Sequence, residues 1–310
     1  MRKEQKHQLV AILLLFAIVV QTGCSQEGTE PPDGPDVPDA SSVSAGRVLE
    51  FLPAPGQFVN EGYECCTMDE ACRYAEERLD QGAYVSLGGF GGYIIVAFDH
   101  HVENDGGYNI AITGNSVTNS SEPGIVWVMS DENGNGLADD TWFELRGSEY
   151  GKDETWQGYA VTYYRPAEPG QPVRWKDNRG QEGEVDYLKA YHSQDYYFPL
   201  WVAGDSYTLT GTRLAARNVD VSGTGALWHN QDYPWGYADN YSPTDMLGEH
   251  GRDNHFRISD AVSANGKEVN LPSIDFVKIQ TAVNAKSGWI GEQSTEVVAV
   301  KDYNLMKGDE

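Results

Sequence analysis

The strand-rich part of the chain begins in residues 84–98, which read YVSLGGFGGYIIVAF. Two short runs of apolar, aromatic and β-branched residues are separated by paired glycines, and neither run has the three-to-four-residue spacing of an amphipathic helix. Short runs of this composition bounded by glycine are typical of β-strands. The stretch therefore predicts two strands, Tyr84–Leu87 and Tyr93–Phe98.

The same pattern continues through most of the chain. Eight further strands are predicted at Tyr108–Ile112, Ile125–Met129, Trp142–Leu145, Tyr159–Tyr164, Tyr207–Thr210, Phe256–Ile258, Ile274–Thr281 and Glu296–Val300. Asn-Asp-Gly-Gly at 104–107 and Asn-Gly at 265–266 are turn signals between them. Many short strands and little helical periodicity predict an all-β fold, a β-sandwich or jelly roll with long loops.

One short N-terminal helix precedes these strands. Thr67 is a candidate N-cap, Glu70 stands three residues later as its capping-box partner, and Gly82 follows Asp80 as a stop signal. The sequence therefore predicts a helix between Thr67 and Gly82.

Three cysteines lie beside this helix. Cys65, Cys66 and Cys72 have the spacing C-C-x5-C, which fits no zinc template. In an oxidising compartment an odd number of cysteines predicts one disulfide, with Cys72 as the favoured partner, and one free thiol.

The first 24 residues predict where the protein is located. Arg2, Lys3 and Lys6 precede an apolar run from Leu9 to Val20, which is too short to cross a bilayer as a helix. The run ends in Gln-Thr-Gly-Cys, so we expect a lipoprotein signal peptide with Cys24 as the lipidated residue. A polar residue at position 21 is unusual in such a motif, so plain secretion with cleavage nearby is the alternative.

A proline-rich acidic stretch follows Cys24 and is expected to be a disordered tether. Its acids resemble the surface-export signals of Bacteroidota lipoproteins, which implies a lipid-anchored, surface-exposed position in the outer membrane. The chain is thus divided into a signal peptide (1–23), a tether (24–46), a single β-sandwich domain (47–304) and a tail (305–310).

Charge limits the classes of partner. The 310 residues contain 22 Lys and Arg against 47 Asp and Glu, a formal net charge of −25. Such a chain repels phosphate backbones, so nucleic acid is excluded as a partner, and contact with the membrane is expected only through the lipid anchor. The same charge favours divalent cations.

Residues 131–140, DENGNGLADD, match the spacing of a calcium-binding loop. Oxygen-bearing side chains stand at loop positions 1, 3, 5 and 9, with glycine at position 6. The predicted ligands of a structural Ca²⁺ are Asp131, Asn133, Asn135, the backbone carbonyl of Leu137, Asp139, and either Asp140 or Glu144. The alternative is a solvated Asn/Gly-rich turn.

Two aromatic-rich stretches, residues 187–201 and 228–241, lack the alternation of strands. Flat rings among Asn, Gln and Asp suit sugars or a flat macrocycle, because the rings provide apolar faces and the polar groups orient the ligand. The predicted ligand-binding residues are Trp228, Tyr233, Trp235, Tyr237, Asp239, Asn240, and Tyr196 or Tyr197. The alternative is that these rings pack against the sandwich and hold the loops.

Motifs of catalysis are missing from the sequence. It contains no G-x-S-x-G elbow, no P-loop and no dinucleotide fingerprint, and no catalytic residue is assigned. The pairs His100–His101 and His250/His255 are interpreted as ordinary polar histidines. Paired acids of a glycoside hydrolase or lyase depend on spatial separation and cannot be identified from spacing, so a carbohydrate-active enzyme is one alternative and a structural adhesin another.

Residues 80–303 resemble a family of Bacteroidota surface lipoproteins usually labelled only "cell surface protein". The segments that carry the resemblance are residues 84–99, 107–110, 121–129, 131–145 and 274–281. The resemblance implies a jelly-roll domain encoded beside TonB-dependent uptake systems, including those for corrinoids. It implies a protein that captures a nutrient. With the aromatic-rich loops and the missing catalytic motifs, this predicts a non-enzymatic protein that captures a glycan or a corrinoid for an outer-membrane transporter.

Overall fold

The computed structural model describes residues 41–247 and 252–307, which cluster as one compact unit. The predicted signal peptide, Cys24, most of the tether and His250 lie outside the described residues. The longest helix within them has 13 residues, and none is long and apolar enough to cross a membrane.

The described elements run along the chain in the following order: β1 (Arg47–Leu52), α1 (Met68–Asp80), β2 (Val85–Ser86), β3 (Tyr93–Glu103), β4 (Ile110–Thr113), β5 (Gly124–Met129), β6 (Phe143–Leu145), β7 (Trp156–Tyr164), β8 (Val173–Asp177), β9 (Glu182–Val185), β10 (Ser206–Arg213), β11 (Asn218–Asp220), β12 (Trp228–Asn230), β13 (Asp253–Phe256), β14 (Ala261–Val262), β15 (Ser273–Thr281), β16 (Glu296–Val297), β17 (Ala299–Asp302) and α2 (Tyr303–Met306). Short 3₁₀ helices lie at Ile258–Asp260 and Gly288–Ile290.

These strands form antiparallel sheets. A central six-stranded sheet has the order β1-β3-β15-β5-β6-β14, and a four-stranded sheet has the order β10-β7-β8-β9. A three-stranded sheet has the order β13-β4-β17, and two strand pairs, β11-β12 and β16-β2, complete the fold. The predicted all-β sandwich with one short N-terminal helix is confirmed.

The central sheet lies between two hydrophobic cores. Successive side chains of each strand point to opposite faces of the sheet and so contribute to different cores. Ile94, Val96 and Val277 belong to the larger core, which also includes residues of the three-stranded sheet and of α1. The four-stranded sheet has a second core, and Leu52 and Tyr93 of the central sheet pack against it. The central sheet is therefore buried on both faces, which leaves the loops at its ends to carry a site.

Each of the ten predicted strands overlaps an observed one. The Phe256–Ile258 prediction overlaps least, because the strand ends at Phe256 and a 3₁₀ helix begins at Ile258. The helix prediction is confirmed: α1 has Thr67 as its N-cap, whose hydroxyl accepts a 3.2 Å hydrogen bond from the Glu70 N–H. Strands β1, β8, β9, β11, β12 and β14 were not predicted.

The predicted disulfide is wrong. Cys65, Cys66 and Cys72 are all free thiols, the first and last buried and Cys66 exposed. Cys72 faces the core on the inner side of α1, and Cys65 packs in the same core. Burial raises the pKa of both buried thiols to about 11, so they remain protonated and behave as small apolar side chains.

Candidate functional site

Three carboxylates from distant parts of the chain meet at one end of the sandwich. Glu122 precedes β5, and Glu296 is the first residue of β16. Asp239 lies between β12 and β13, directly after Ala238. One oxygen from each of the three lies within 4.8 Å of the others. We call Glu122, Asp239 and Glu296 the carboxylate cluster.

Backbone hydrogen bonds hold the cluster in place. The Glu122 N–H donates to the Asp239 carbonyl at 3.0 Å. The Asp239 carboxylate accepts from the N–H groups of Asn115 (2.9 Å) and Ser116 (2.8 Å) with one oxygen, and from that of Glu296 (3.0 Å) with the other. Asp239 thus joins the segments that carry the other two acids.

The backbone at Asp239 is adapted to this role. Its φ of 52° is left-handed, a conformation that Asp adopts more readily than most residues. Gly114 lies directly against it, and a Cβ at this glycine would come within 2.5 Å of the Asp239 Oδ1. A side chain at position 114 would therefore displace the carboxylate.

The cluster lies in a strongly desolvated environment. Glu296 is 2% exposed and Asp239 is fully buried. Burial and the neighbouring Asp239 charge raise the pKa of Glu122 to about 8, and burial with the Glu122 and Asp239 charges raises the pKa of Glu296 well above its usual range. Burial raises the pKa of Asp239 to only about 6, because its three backbone N–H donors favour the ionised form.

Glu122 and Glu296 line a cavity of about 410 Å³, which we call the acid–aromatic cavity. Its other lining residues are mostly aromatic or polar: Gln57, Phe58, Tyr84, Asn115, Tyr191, His192, Trp289, Ile290, Glu292 and Ser294. Tyr191 is 64% exposed and Trp289 is 52% exposed, so these two rings present wide faces to solvent.

Neighbouring groups fix these aromatic side chains. The ring centroids of Tyr191 and Trp289 are 5.9 Å apart at an interplanar angle of 43°, and the Trp289 indole N–H donates to the Ala226 carbonyl at 3.2 Å. Phe58 meets the His192 ring edge-on at 4.7 Å. The rim is therefore largely preformed, which reduces the entropy lost on binding a ligand.

A further acid, Glu292, is buried and lines the cavity outside the cluster, in which Glu122 is half-buried. One of its carboxylate oxygens accepts a 2.7 Å hydrogen bond from the Gln57 N–H, whereas the other, Oε2, has no partner among the described residues. Burial raises the pKa of Glu292 to about 7. It is the natural control for substitutions in the cluster.

The aromatic side chains predicted to bind ligand are in part core residues. Tyr233, Tyr237 and Tyr197 are only 2%, 1% and 0% exposed. The hydroxyls of Tyr233 and Tyr197 donate to the carbonyls of Ala215 and His192, and that of Tyr237 accepts from the Glu149 N–H. Their rings are covered by protein, so the prediction that they line a ligand surface is wrong, and the packing alternative holds for them.

The two predicted rim residues of the same loop are also internal. Asn240 is fully buried, and its side-chain amide bonds both the N–H and the carbonyl of Tyr233 at 2.8 Å, which closes the loop. Asp239 faces the other carboxylates of the cluster rather than the rim of the loop. Both were predicted as surface groups, and that placement is corrected.

Trp228, Trp235 and Tyr196 are half-buried. Trp228 donates from its indole N–H to the Gly225 carbonyl at 3.2 Å and lies against Gly288, the residue before Trp289. Trp235 lines a separate cavity of about 230 Å³. The structure therefore does not bring the predicted binding residues together in one site.

Residues 131–140 form a loop between β5 and β6, and their polar side chains form hydrogen bonds within the loop. The Asp131 carboxylate accepts from the N–H groups of Asn135 (3.1 Å) and Gly136 (2.8 Å), and the side-chain amides of Asn133 and Asn135 donate to Asp139 at 3.1 Å each. The Glu132 N–H donates to Asp140 at 2.9 Å. Asn133, Asn135 and Asp139 are thus linked through their side chains, and Asp131 is joined to them by the backbone N–H of Asn135. Asp140 belongs to the same loop.

Glu144 does not belong to this loop, which corrects its inclusion as an alternative calcium ligand. It lies in β6, is 4% exposed, and accepts a 2.5 Å hydrogen bond from the Thr212 hydroxyl. With Trp127, Trp142 and Lys278 it lines a cavity of about 400 Å³. Because β6 pairs with β5, the Glu144 side chain points from the sheet face and not toward the loop.

Most residues of the acid–aromatic cavity were not predicted. Tyr191 and His192 belong to an aromatic-rich stretch, and Glu122 and Glu296 stand at strand starts, but no spacing links them. Comparison of the chain with models of known protein families gives no match, and no curated protein matches it.

Proposed function

We propose that this protein is a surface-anchored, non-enzymatic lipoprotein that captures a small nutrient in the acid–aromatic cavity for a TonB-dependent outer-membrane transporter. The observation that carries the proposal is the exposed pair Tyr191 and Trp289 beside the buried acids in one cavity. Concave sites with aromatic walls and few convergent polar groups are typical of small-ligand binding.

A neutral sugar fits this cavity better than a corrinoid does. The cavity has a volume of about 410 Å³, whereas small-molecule sites range from about 300 to 1,000 Å³. A volume near the lower end of that range suits one or two sugar rings rather than a whole macrocycle. Acids accept hydrogen bonds from hydroxyl groups and repel anions. The aromatic faces provide apolar area for stacking.

The enzyme alternative is weaker for this cluster. Oxygens of Glu122 and Glu296 lie within 4.8 Å of each other. The carboxyl groups of retaining glycosidases are about 5–5.5 Å apart and those of inverting ones about 6.5–9.5 Å apart, because a sugar or a water must fit between them. The short distance between single oxygens of Glu122 and Glu296 suits a shared proton or ion, so binding is proposed ahead of hydrolysis.

Binding is tested first by a thermal-shift screen of the purified protein against neutral glycans, acidic glycans and corrinoids. We expect a neutral glycan to bind. Trp289→Ala should weaken capture of that glycan at least tenfold, about 1.4 kcal/mol, with little change in Tm, because this ring is half exposed. Isothermal titration calorimetry measures the affinity.

Trp235→Ala is the matched control, because Trp235 lines a different cavity. It should leave glycan affinity within twofold of the wild type. Equal weakening by both substitutions, or no effect of Trp289→Ala, would place the ligand elsewhere. Turnover of a glycan during the titration would replace the capture proposal by the enzyme alternative.

The loop at residues 131–140 is proposed to hold a structural Ca²⁺ through Asp131, Asn133, Asn135, Asp139, Asp140 and the Leu137 carbonyl. Binding to the folded state alone raises stability by about 2.7 kcal/mol when free calcium is a hundred times the dissociation constant. Chelation should therefore lower the Tm of the wild type. Asp131→Ala should reduce that response, and an unchanged response in this variant would favour the solvated turn.

A further inference from the structure

The carboxylate cluster brings together three acidic groups that no described cation balances. No Lys, Arg or His of the described residues forms an ion pair with Glu122, Asp239 or Glu296. Buried carboxylates are normally paired with a cation, coordinated to a metal, or protonated, because an isolated buried charge is strongly unfavourable. The cluster therefore requires protons or a bound cation.

Glu296 provides the second observation. Its side chain is only 2% exposed, yet neither carboxylate oxygen accepts a hydrogen bond from a described residue. Leaving a buried acceptor unsatisfied costs about 1–3 kcal/mol, and more for a charged group. Both Glu296 and Glu122 line the acid–aromatic cavity, so the cluster adjoins this cavity.

We propose that the carboxylate cluster binds one Ca²⁺ at the floor of the acid–aromatic cavity. Ca²⁺ contacts oxygen ligands at about 2.3–2.6 Å, so two oxygens on opposite sides of one ion are at most about 5 Å apart. The three carboxylates, whose oxygens lie within 4.8 Å of one another, match that span. Their chemistry is that of a hard oxygen site rather than of a zinc or copper site.

The attachment of Asp239 supports a metal role. Three backbone N–H groups fix its carboxylate, so this ligand is positioned before any ion arrives. Glu122 and Glu296 come from two other segments, and an ion between the three would join all of them. This site is separate from the loop at residues 131–140 and does not depend on the proposed glycan.

The test measures Ca²⁺ alone, in protein without glycan, and removes the loop site first. Equilibrium dialysis with radioactive Ca²⁺ should find one bound ion in Asp131→Ala and none in the double variant Asp131→Ala/Glu296→Gln. Glu296→Gln keeps the size of the side chain and removes one charge, so the fold should persist, which near-UV circular dichroism checks. Addition of Ca²⁺ should raise the Tm of Asp131→Ala by a few degrees and leave that of the double variant unchanged.

Asp131→Ala/Glu292→Gln is the matched control, because Glu292 is a buried acid of the same cavity outside the cluster. It should still bind one Ca²⁺. One bound ion in the Glu296→Gln double variant, or none in folded Asp131→Ala, would overturn the proposal and leave protons as the neutralising species.

Wild-type crystals grown with Mn²⁺ give a test without substitutions. An anomalous peak should lie between the three carboxylates, and the absence of a peak there would also overturn the proposal.

Discussion

Replacement of Tyr237 by Ala is expected to destabilise the protein by about 3–5 kcal/mol, the range for truncation of a buried aromatic ring. The ring is 1% exposed, and Gly147 packs so closely that a Cβ there would lie 2.4 Å from the Tyr237 Cζ. Its hydroxyl also accepts the Glu149 N–H, which would lose its partner. Urea denaturation measures the change in the free energy of unfolding.

Tyr241→Ala is the control in the same loop, because this side chain is 40% exposed. It should change the free energy of unfolding by no more than about 0.5 kcal/mol. A Tyr237→Ala protein as stable as the wild type would contradict the core position of the ring and restore the surface-binding hypothesis for this loop.

Stability is expected to fall as pH rises toward 7 because of Glu144. Burial raises its pKa from the ordinary 4.5 to about 7, so the folded state retains a proton that the unfolded state releases. Its contribution is therefore fully present below pH 4.5 and is lost as pH rises through about 7. The shift corresponds to about 3 kcal/mol.

Glu144→Gln isolates this contribution from that of the other buried acids. The amide is not titratable and its oxygen can still accept from the Thr212 hydroxyl. Between pH 4.5 and 7, the free energy of unfolding of the wild type should decrease more steeply than that of the variant. Parallel pH profiles of the two proteins would show that Glu144 does not titrate in this window.

Strands were predictable where one stretch contains enough apolar residues. The run 93–98 is continuously apolar or aromatic and lies in β3, and the run 274–281 lies in β15, its neighbour in the central sheet. The second run is recognisable because Ile274, Phe276, Val277 and Ile279 stand close together. Strand β9, EGEV, is at the edge of the four-stranded sheet, and β8, VRWKD, lies next to it. Both strands contain charged, exposed residues between their few buried ones. Their composition resembles that of loops, so they were missed.

The site was less predictable than the fold, because its residues meet only through tertiary structure. Glu296 and Asp239 are 57 residues apart, and the strand pairings around them bring them together. The loop at 228–241 was misjudged because its Asn and Asp side chains look like ligand-binding groups. Asn240 and Asp239 instead satisfy backbone groups within the protein.

The predicted calcium loop is the opposite case, since its predicted ligands are local in sequence. Asp131, Asn133, Asn135 and Asp139 fall within one short loop. The Asn135 N–H donates to the Asp131 carboxylate, and the side-chain amides of Asn133 and Asn135 donate to Asp139. Glu144 was misassigned because it is close to the loop along the chain, although it lies within the predicted strand Trp142–Leu145, which the structure has as β6 (Phe143–Leu145). From that point the strand, not the loop, determines where a side chain points.

The most direct test of ligand capture is a crystal structure of the protein with the glycan identified in the screen. We expect electron density for a sugar ring in the acid–aromatic cavity, stacked on Trp289 or Tyr191 and with a hydroxyl hydrogen-bonded to Glu122 or Glu292. A glycan bound at Trp235 or in the cavity beside Glu144, with the acid–aromatic cavity empty, would contradict the account.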